Sequence, residues 1–170
     1  MTERQIQTAL FRDKASIYTI IMPNYTPAKW FECDVFGVTK SGYFHEFEIK
    51  LTKADFEKDK EKSTGKVYAK DADGKWFKTG GVTKHGLLAC GTERGPVTFT
   101  YVVPDGLLSV EDIPEFAGLQ YALSHRVGAV RLRTIREPPR LHGAKCDPKI
   151  VKHAHSVSYW RFWRERCKHD

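Results

Sequence analysis

The chain has 170 residues, a formal net charge of +7 and a sequence pI near 9.2. That length predicts one domain over 1–170 with enough residues to bury a proper core. Its apolar fraction of 41% and charged fraction of 29% are those of a globular protein. No apolar run reaches the length of a membrane span, and Met1–Thr2–Glu3–Arg4 lacks the form of a signal peptide, so the expectation is a cytoplasmic protein with no membrane partner. Cys33, Cys90, Cys146 and Cys167 are widely spaced with no CxxC pair, which argues against a disulfide scaffold or a zinc ribbon.

In chain order, Thr2 caps a helix carrying Ile6, Ala9 and Leu10, with Glu3 in its first turn where the dipole favours an acid. Ser16–Met22 is β-branched and apolar and reads as a strand, and Pro23–Pro27 as a loop. Two further strands, Trp30–Val38 and Tyr43–Leu51, flank a turn at Lys40–Ser41–Gly42. On the second, Tyr43, Phe47, Ile49 and Leu51 fall on one period-2 face and Glu46, Glu48 and Lys50 on the other. Asp34 sits among Phe31, Val35, Phe36 and Val38 of the neighbouring strand, with Glu32 two residues before it. Thr52–Lys53–Ala54–Asp55 has the form of a capping box and opens a basic helix to about Lys62. Lys53, Lys58 and Lys62 on that helix are candidates for contact with a nucleic-acid backbone, although a charge run is usually a solvated face.

Ser63–Arg94 is rich in glycine and lysine and reads as an insertion or flap, with a hairpin tip at Asp71–Ala72–Asp73–Gly74. Tyr68, Trp76 and Phe77 among its lysines suit either base stacking or anchoring of the flap. Val97–Val103 is a strand, Ser109–Ile113 a short helix or turn, and Gly118–Leu123 and Ala129–Ile135 two more strands. Arg131 and Arg133 alternate with apolar residues on the last of these, facing a substrate or guarding a sheet edge. Pro148–Cys167 suits a C-terminal helix, with Ile150, Val151, Val157, Trp160 and Trp163 expected to dock on the sheet. His142, Cys146, His153 and His155 are all good zinc ligands, but their spacings match no zinc pattern. This order predicts an α/β domain with a mixed central β-sheet flanked by helices.

Asp34 and Glu48, brought across from each other, make a hard oxygen site suited to Mg²⁺ or Mn²⁺, with Lys50 beside it to orient a water or neutralise phosphate charge. The plainer alternative is that Glu46, Glu48 and Lys50 form a solvated strand face, with ion pairs worth well under about 1 kcal/mol.

Asp34 followed by Glu48-x-Lys50 resembles the active-site signature of the PD-(D/E)XK nuclease superfamily. Ala54–Asp55–Phe56, Asp59, Val103–Leu107, Ile113–Leu119 and Pro139–His142 are similar to a branch of small bacterial and phage proteins like the MmcB-type DNA-repair nucleases. The resemblance covers roughly residues 2–145 and is thin over 66–94; Cys33 stands where the signature has proline. It implies a restriction-endonuclease-like core and a Mg²⁺-dependent nuclease acting on DNA in repair or phage DNA processing. Asp34, Glu48 and the Ile49 carbonyl would hold the metal, Lys50 would position the water, and Glu3 would join from the first helix. The alternatives are a catalytically silent nucleic-acid-binding or regulatory protein on the same fold, and a protein-interaction module built on the aromatic tail. A homodimer or a partner protein is left open.

Overall fold

The structure is a computed structural model describing residues 1–59, 67–70, 75–79, 81–125 and 129–169. Helix α1 (Glu3–Lys14) starts at a capping box in which the Thr2 hydroxyl accepts from the Gln5 amide and the Gln5 side chain accepts from the Thr2 amide. Three strands follow as an antiparallel meander, β1 (Tyr18–Tyr25), β2 (Cys33–Thr39) and β3 (Phe44–Ile49). The β2–β3 turn closes at Gly42, whose φ of +88° suits a residue without a Cβ. Then come α2 (Lys53–Asp59), a hairpin of β4 (Val67–Lys70) and β5 (Trp76–Thr79), and α3 (Lys84–Ala89). These lie in the long connection that a parallel neighbour requires, and β6 (Thr98–Pro104) returns parallel to β3. After β7 (Ala117–Ser124) and β8 (Val130–Arg136), α4 (Pro148–Arg166) ends the regular structure but for a short 3₁₀ turn. The six-stranded sheet has the order β1-β2-β3-β6-β7-β8 and is mixed, with β6–β7 parallel and β7–β8 antiparallel. The α/β class with a mixed sheet flanked by helices is therefore observed.

The two faces of the sheet bury different cores. On one, Ile6 and Leu10 of α1 pack on Val35, Phe47, Ile49, Val102 and Ala122. On the other, a larger aromatic core of Phe36, Phe44, Phe99 and Tyr101 takes Phe56 from α2, Leu88 from α3 and Ala154 from α4. Among the described residues, no helix is long and apolar enough to cross a membrane.

Three expectations change. The loop expected from Pro23 is instead the end of β1, with Pro23 opposite Val35; β1 is an edge strand, so the missing N–H of proline breaks no second ladder. Within the stretch read as insertion, Thr83 caps α3, whose Leu88 enters the core. The aromatic residues Trp160 and Trp163 of α4 do not dock, being 62% and 41% exposed. Lys60, Lys62 and the expected tip at Asp71–Gly74 lie outside the described residues, as do the side chains of Tyr68, Trp76 and Phe77.

Candidate functional site

Alternation along β3 sends Phe47 and Ile49 toward α1 and Glu46 and Glu48 into the opposite face. That second face is not solvated: Glu46 and Glu48 are 0% exposed and Lys50 is 3% exposed. The solvated-strand alternative is thereby corrected, because α2, α3 and β6, all later in the chain, supply residues that cover this end of β3. Burying an ion costs several kcal/mol unless it is paired, and each of these charges has a partner.

Lys84 Nζ lies 2.6 Å from Glu46 Oε1 and 2.7 Å from Glu48 Oε2. Lys50 Nζ lies 2.8 Å from the other Glu48 oxygen and 3.1 Å from Asp59 Oδ1. Trp30 Nε1–H donates to Glu46 Oε2 over 2.8 Å, and Tyr101 O–H donates to Asp59 Oδ2 over 2.8 Å. His85 Nε2 stands 3.2 Å from that Asp59 oxygen. The result is an alternating buried row, Glu46–Lys84–Glu48–Lys50–Asp59. The Lys84–Glu46 and Lys50–Asp59 contacts are close in distance but poorly aligned as hydrogen bonds; at such separations in a dry interior the Coulomb attraction survives the misalignment.

The electrostatics follow from burial. Desolvation alone would lower the Lys84 pKa, but Glu46 and Glu48 outweigh it and hold the ammonium charged. Burial pushes the Glu46 carboxyl up, against the pull of Lys84. Tyr101 is raised by burial and then by Asp59, so it remains a donor. Cys33, fully buried and beside Glu46, is pushed well up by desolvation, which leaves it an inert thiol.

Asp34 takes a different position from the one directly across from Glu48 and Lys50. Asn24 of β1 has φ +50°, and around it the regular alternation slips. Met22 and Tyr25, three residues apart, both face the aromatic core, and so do Phe36 and Cys33 opposite them. Cys33 thus enters the core, while Asp34 is half-buried and its Oδ2 accepts the Ile49 N–H over 2.7 Å. Ile49 meets the site through that amide, its side chain being packed under α1. Glu3 is exposed and accepts from Gln7 Nε2 over 2.7 Å. The same nitrogen lies 2.8 Å from Asn24 Oδ1 and 3.2 Å from the Asp34 carbonyl oxygen, so Gln7 ties Glu3 to β1 and β2.

The structure therefore joins Glu48 with Lys50, links Glu3 to the Asp34 backbone, and attaches Asp34 to the centre of the Glu48–Ile49–Lys50 triplet. Lys53 and Lys58 are exposed on α2. Arg131 and Arg133 are exposed on β8, three strands from β3 and so roughly 14 Å away at the usual strand spacing. Arg133 is paired there with Asp105 at 3.0 Å. Glu32 is exposed and precedes β2. Sequence reasoning singled out Asp59 only as part of a resemblance, and gave no chemical role to Lys84, His85, Trp30 or Tyr101. The one local cue was Thr83, a helix cap just before Lys84.

Two carboxylates and a carbonyl suit a hard divalent cation in chemistry. Both Glu48 oxygens already face ammonium groups, so such a cation fits only where Lys50 or Lys84 yields one of them. Among the described residues, no group of three or more His, Cys, Asp or Glu side chains is placed to hold a metal. Of the four residues weighed as zinc ligands, His142 has its Nε2 3.1 Å from the Gly95 carbonyl oxygen and His153 its Nδ1 2.8 Å from the Tyr25 hydroxyl.

No protein-family model matches the chain, and no curated protein does. Among solved structures, it is similar to the SPO1766 protein of unknown function from Silicibacter pomeroyi, with TM-score 0.58 and 19% identity over 96% of this chain and 87% of that one. That likeness is one of fold.

Proposed function

We propose that the chain is a metal-dependent nuclease hydrolysing phosphodiester bonds in DNA. The observation that carries this reading is the 2.7 Å bond between the Asp34 carboxylate and the Ile49 amide, which fastens the acid of β2 to the Glu48–Ile49–Lys50 triplet of β3. An α1-covered β1–β2–β3 meander crossing over to a parallel β6 agrees with the core that the PD-(D/E)XK resemblance implies. In this reading Asp34, Glu48 and the Ile49 carbonyl hold Mg²⁺ or Mn²⁺, which when bound polarises the phosphoryl oxygen and acidifies a water. Lys50 orients the water that attacks phosphorus as the P–O bond to the leaving strand breaks. Glu3, fixed by Gln7, stands by as a further acid. Lys53 and Lys58 meet backbone phosphates, in keeping with the net charge of +7.

A second reading, a nucleic-acid-binding protein without turnover, is favoured by one observation: Glu48 is fully buried and each of its oxygens faces a lysine ammonium. Asp34→Asn and Glu48→Gln separate the two. The nuclease reading expects both to abolish cutting while DNA binding in EDTA persists; wild-type protein that binds DNA but cuts nothing with Mg²⁺ or Mn²⁺ sinks it in favour of the second.

A further inference from the structure

The C-terminal helix has two faces with different fates. Ile150, Ala154, Val157 and Arg161, spaced by four, three and four, turn inward. Arg161 donates to the Pro23 and Asn24 carbonyl oxygens of β1 over 2.6 and 2.7 Å. The opposite stripe, Lys152, Ser156, Tyr159, Trp163 and Arg166, is exposed along its length. Beside it Trp160 and Phe162 are also exposed, at 62% and 58%. The rings form one cluster: Tyr159 is edge-on to Trp160 and Trp163 at centroid separations of 5.4 and 6.3 Å, and Phe162 edge-on to Trp163 at 5.5 Å.

Charge selects the occupant. From Pro148 to Arg166 the helix carries Lys149, Lys152, Arg161, Arg164 and Arg166 against Glu165 alone. Two copies laid face to face would set like charges together, which disfavours a second copy. Aromatic rings interleaved with cations match a partner that offers planar bases and phosphates together, and base faces are free only in a single strand. The inward face of the helix, not the patch, is tied toward the first helix and the first two strands. Asn24, held by Arg161 through its carbonyl, is held by Gln7 through its side chain, and Gln7 reaches Glu3 and the Asp34 carbonyl. Glu165, lowered chiefly by Lys168, also feels Arg4 of α1.

We infer that the exposed face of α4 is a docking surface for single-stranded DNA, with bases stacked on Tyr159 and Trp163 and phosphates on Lys152 and Arg166. The choice of DNA rests on the nuclease reading; the surface does not.

The test is fluorescence-anisotropy binding of a short oligothymidylate in EDTA, where nothing can be cut, beside a duplex of equal length. Wild type is expected to prefer the single strand. Tyr159→Ala/Trp163→Ala is expected to weaken binding by about thirtyfold or more with an unchanged salt slope. Tyr159→Phe/Trp163→Phe, which keeps the rings, is expected to retain most of it. Lys152→Ala/Arg166→Ala should shallow the salt slope by about 1.4, at roughly 0.7 per lost contact. Alanine variants that bind as wild type does overturn the proposal. So does a wild-type dimer in sedimentation that the alanine pair dissociates, or vesicles of anionic lipid losing affinity while the oligonucleotide does not. Failure to cut DNA with Mg²⁺, with this binding intact, would remove the nuclease reading and leave the surface standing.

Discussion

Lys84 places its ammonium between two carboxylates that the fold has taken out of water. Truncating it as Lys84→Met leaves Glu46 and Glu48 facing each other in the interior, and breaking a buried pair in this way costs about 3–5 kcal/mol. Urea unfolding should register that loss, and Glu46→Gln in the same chain should recover part of it; a cost below about 1 kcal/mol would contradict the pairing. His45 gives a second test. Burial lowers its pKa to about 4 from 6.5, with Lys14 and Arg140 adding to the effect, and its Nδ1 lies 2.6 Å from Thr98 Oγ1. The unfolded chain takes up the proton first, so this stability is complete above about pH 6.5 and falls as the pH drops toward 4. With the ring's partial exposure discounted, the loss is about 2 kcal/mol. His45→Gln should flatten the pH dependence of the urea midpoint over that interval, and a slope equal to wild type would exclude His45 as its source. The Glu48–Lys50 pairing was legible because a strand puts alternate residues on one side. The cation that completes it was not, because Lys84 lies 36 residues beyond Glu48 and local pattern carries no information about such a contact.

The elements were mostly visible from apolar periodicity, turn glycines and caps. What was missed is what tertiary context decides. Pro23 belongs to a strand because that strand is at the edge, and Asp34 turns from the buried row because Asn24 and its neighbours break the alternation. In α4 apolar and aromatic residues stand nearly all round the helix, so spacing could not tell the face that docks from the face left in solvent. Close packing within the meander makes its own prediction. A Cβ on Gly37 of β2 would lie 2.7 Å from the Tyr18 ring of β1. Gly37→Ala should therefore lower stability by about 1–3 kcal/mol in thermal unfolding, and Tyr18→Leu beside it should relieve most of that cost. An unchanged melting temperature for the single variant would mean that the two strands do not pack as closely as described.

For the molecule as a whole, the mixed sheet sets the acids of β2 and β3 apart from the arginines of β8. Asp34 on β2 accepts the Ile49 amide of β3, while the arginines of β8 stand at the far edge. The α/β architecture follows from the element order, and the strand order then decides which of the many basic residues lie near the acids. Lys53 and Lys58 belong to the helix that follows β3 directly, whereas Arg131 and Arg133 do not adjoin it. The buried row sets two lysines among three carboxylates, with His85 beside Asp59. The most direct measurement is cleavage of linear, nicked, branched and single-stranded DNA with Mg²⁺, Mn²⁺ or EDTA, comparing wild type with Lys50→Ala. The account predicts metal-dependent cutting that the substitution abolishes while binding in EDTA persists. Binding without cutting of any substrate, or cutting that Lys50→Ala leaves intact, would contradict it.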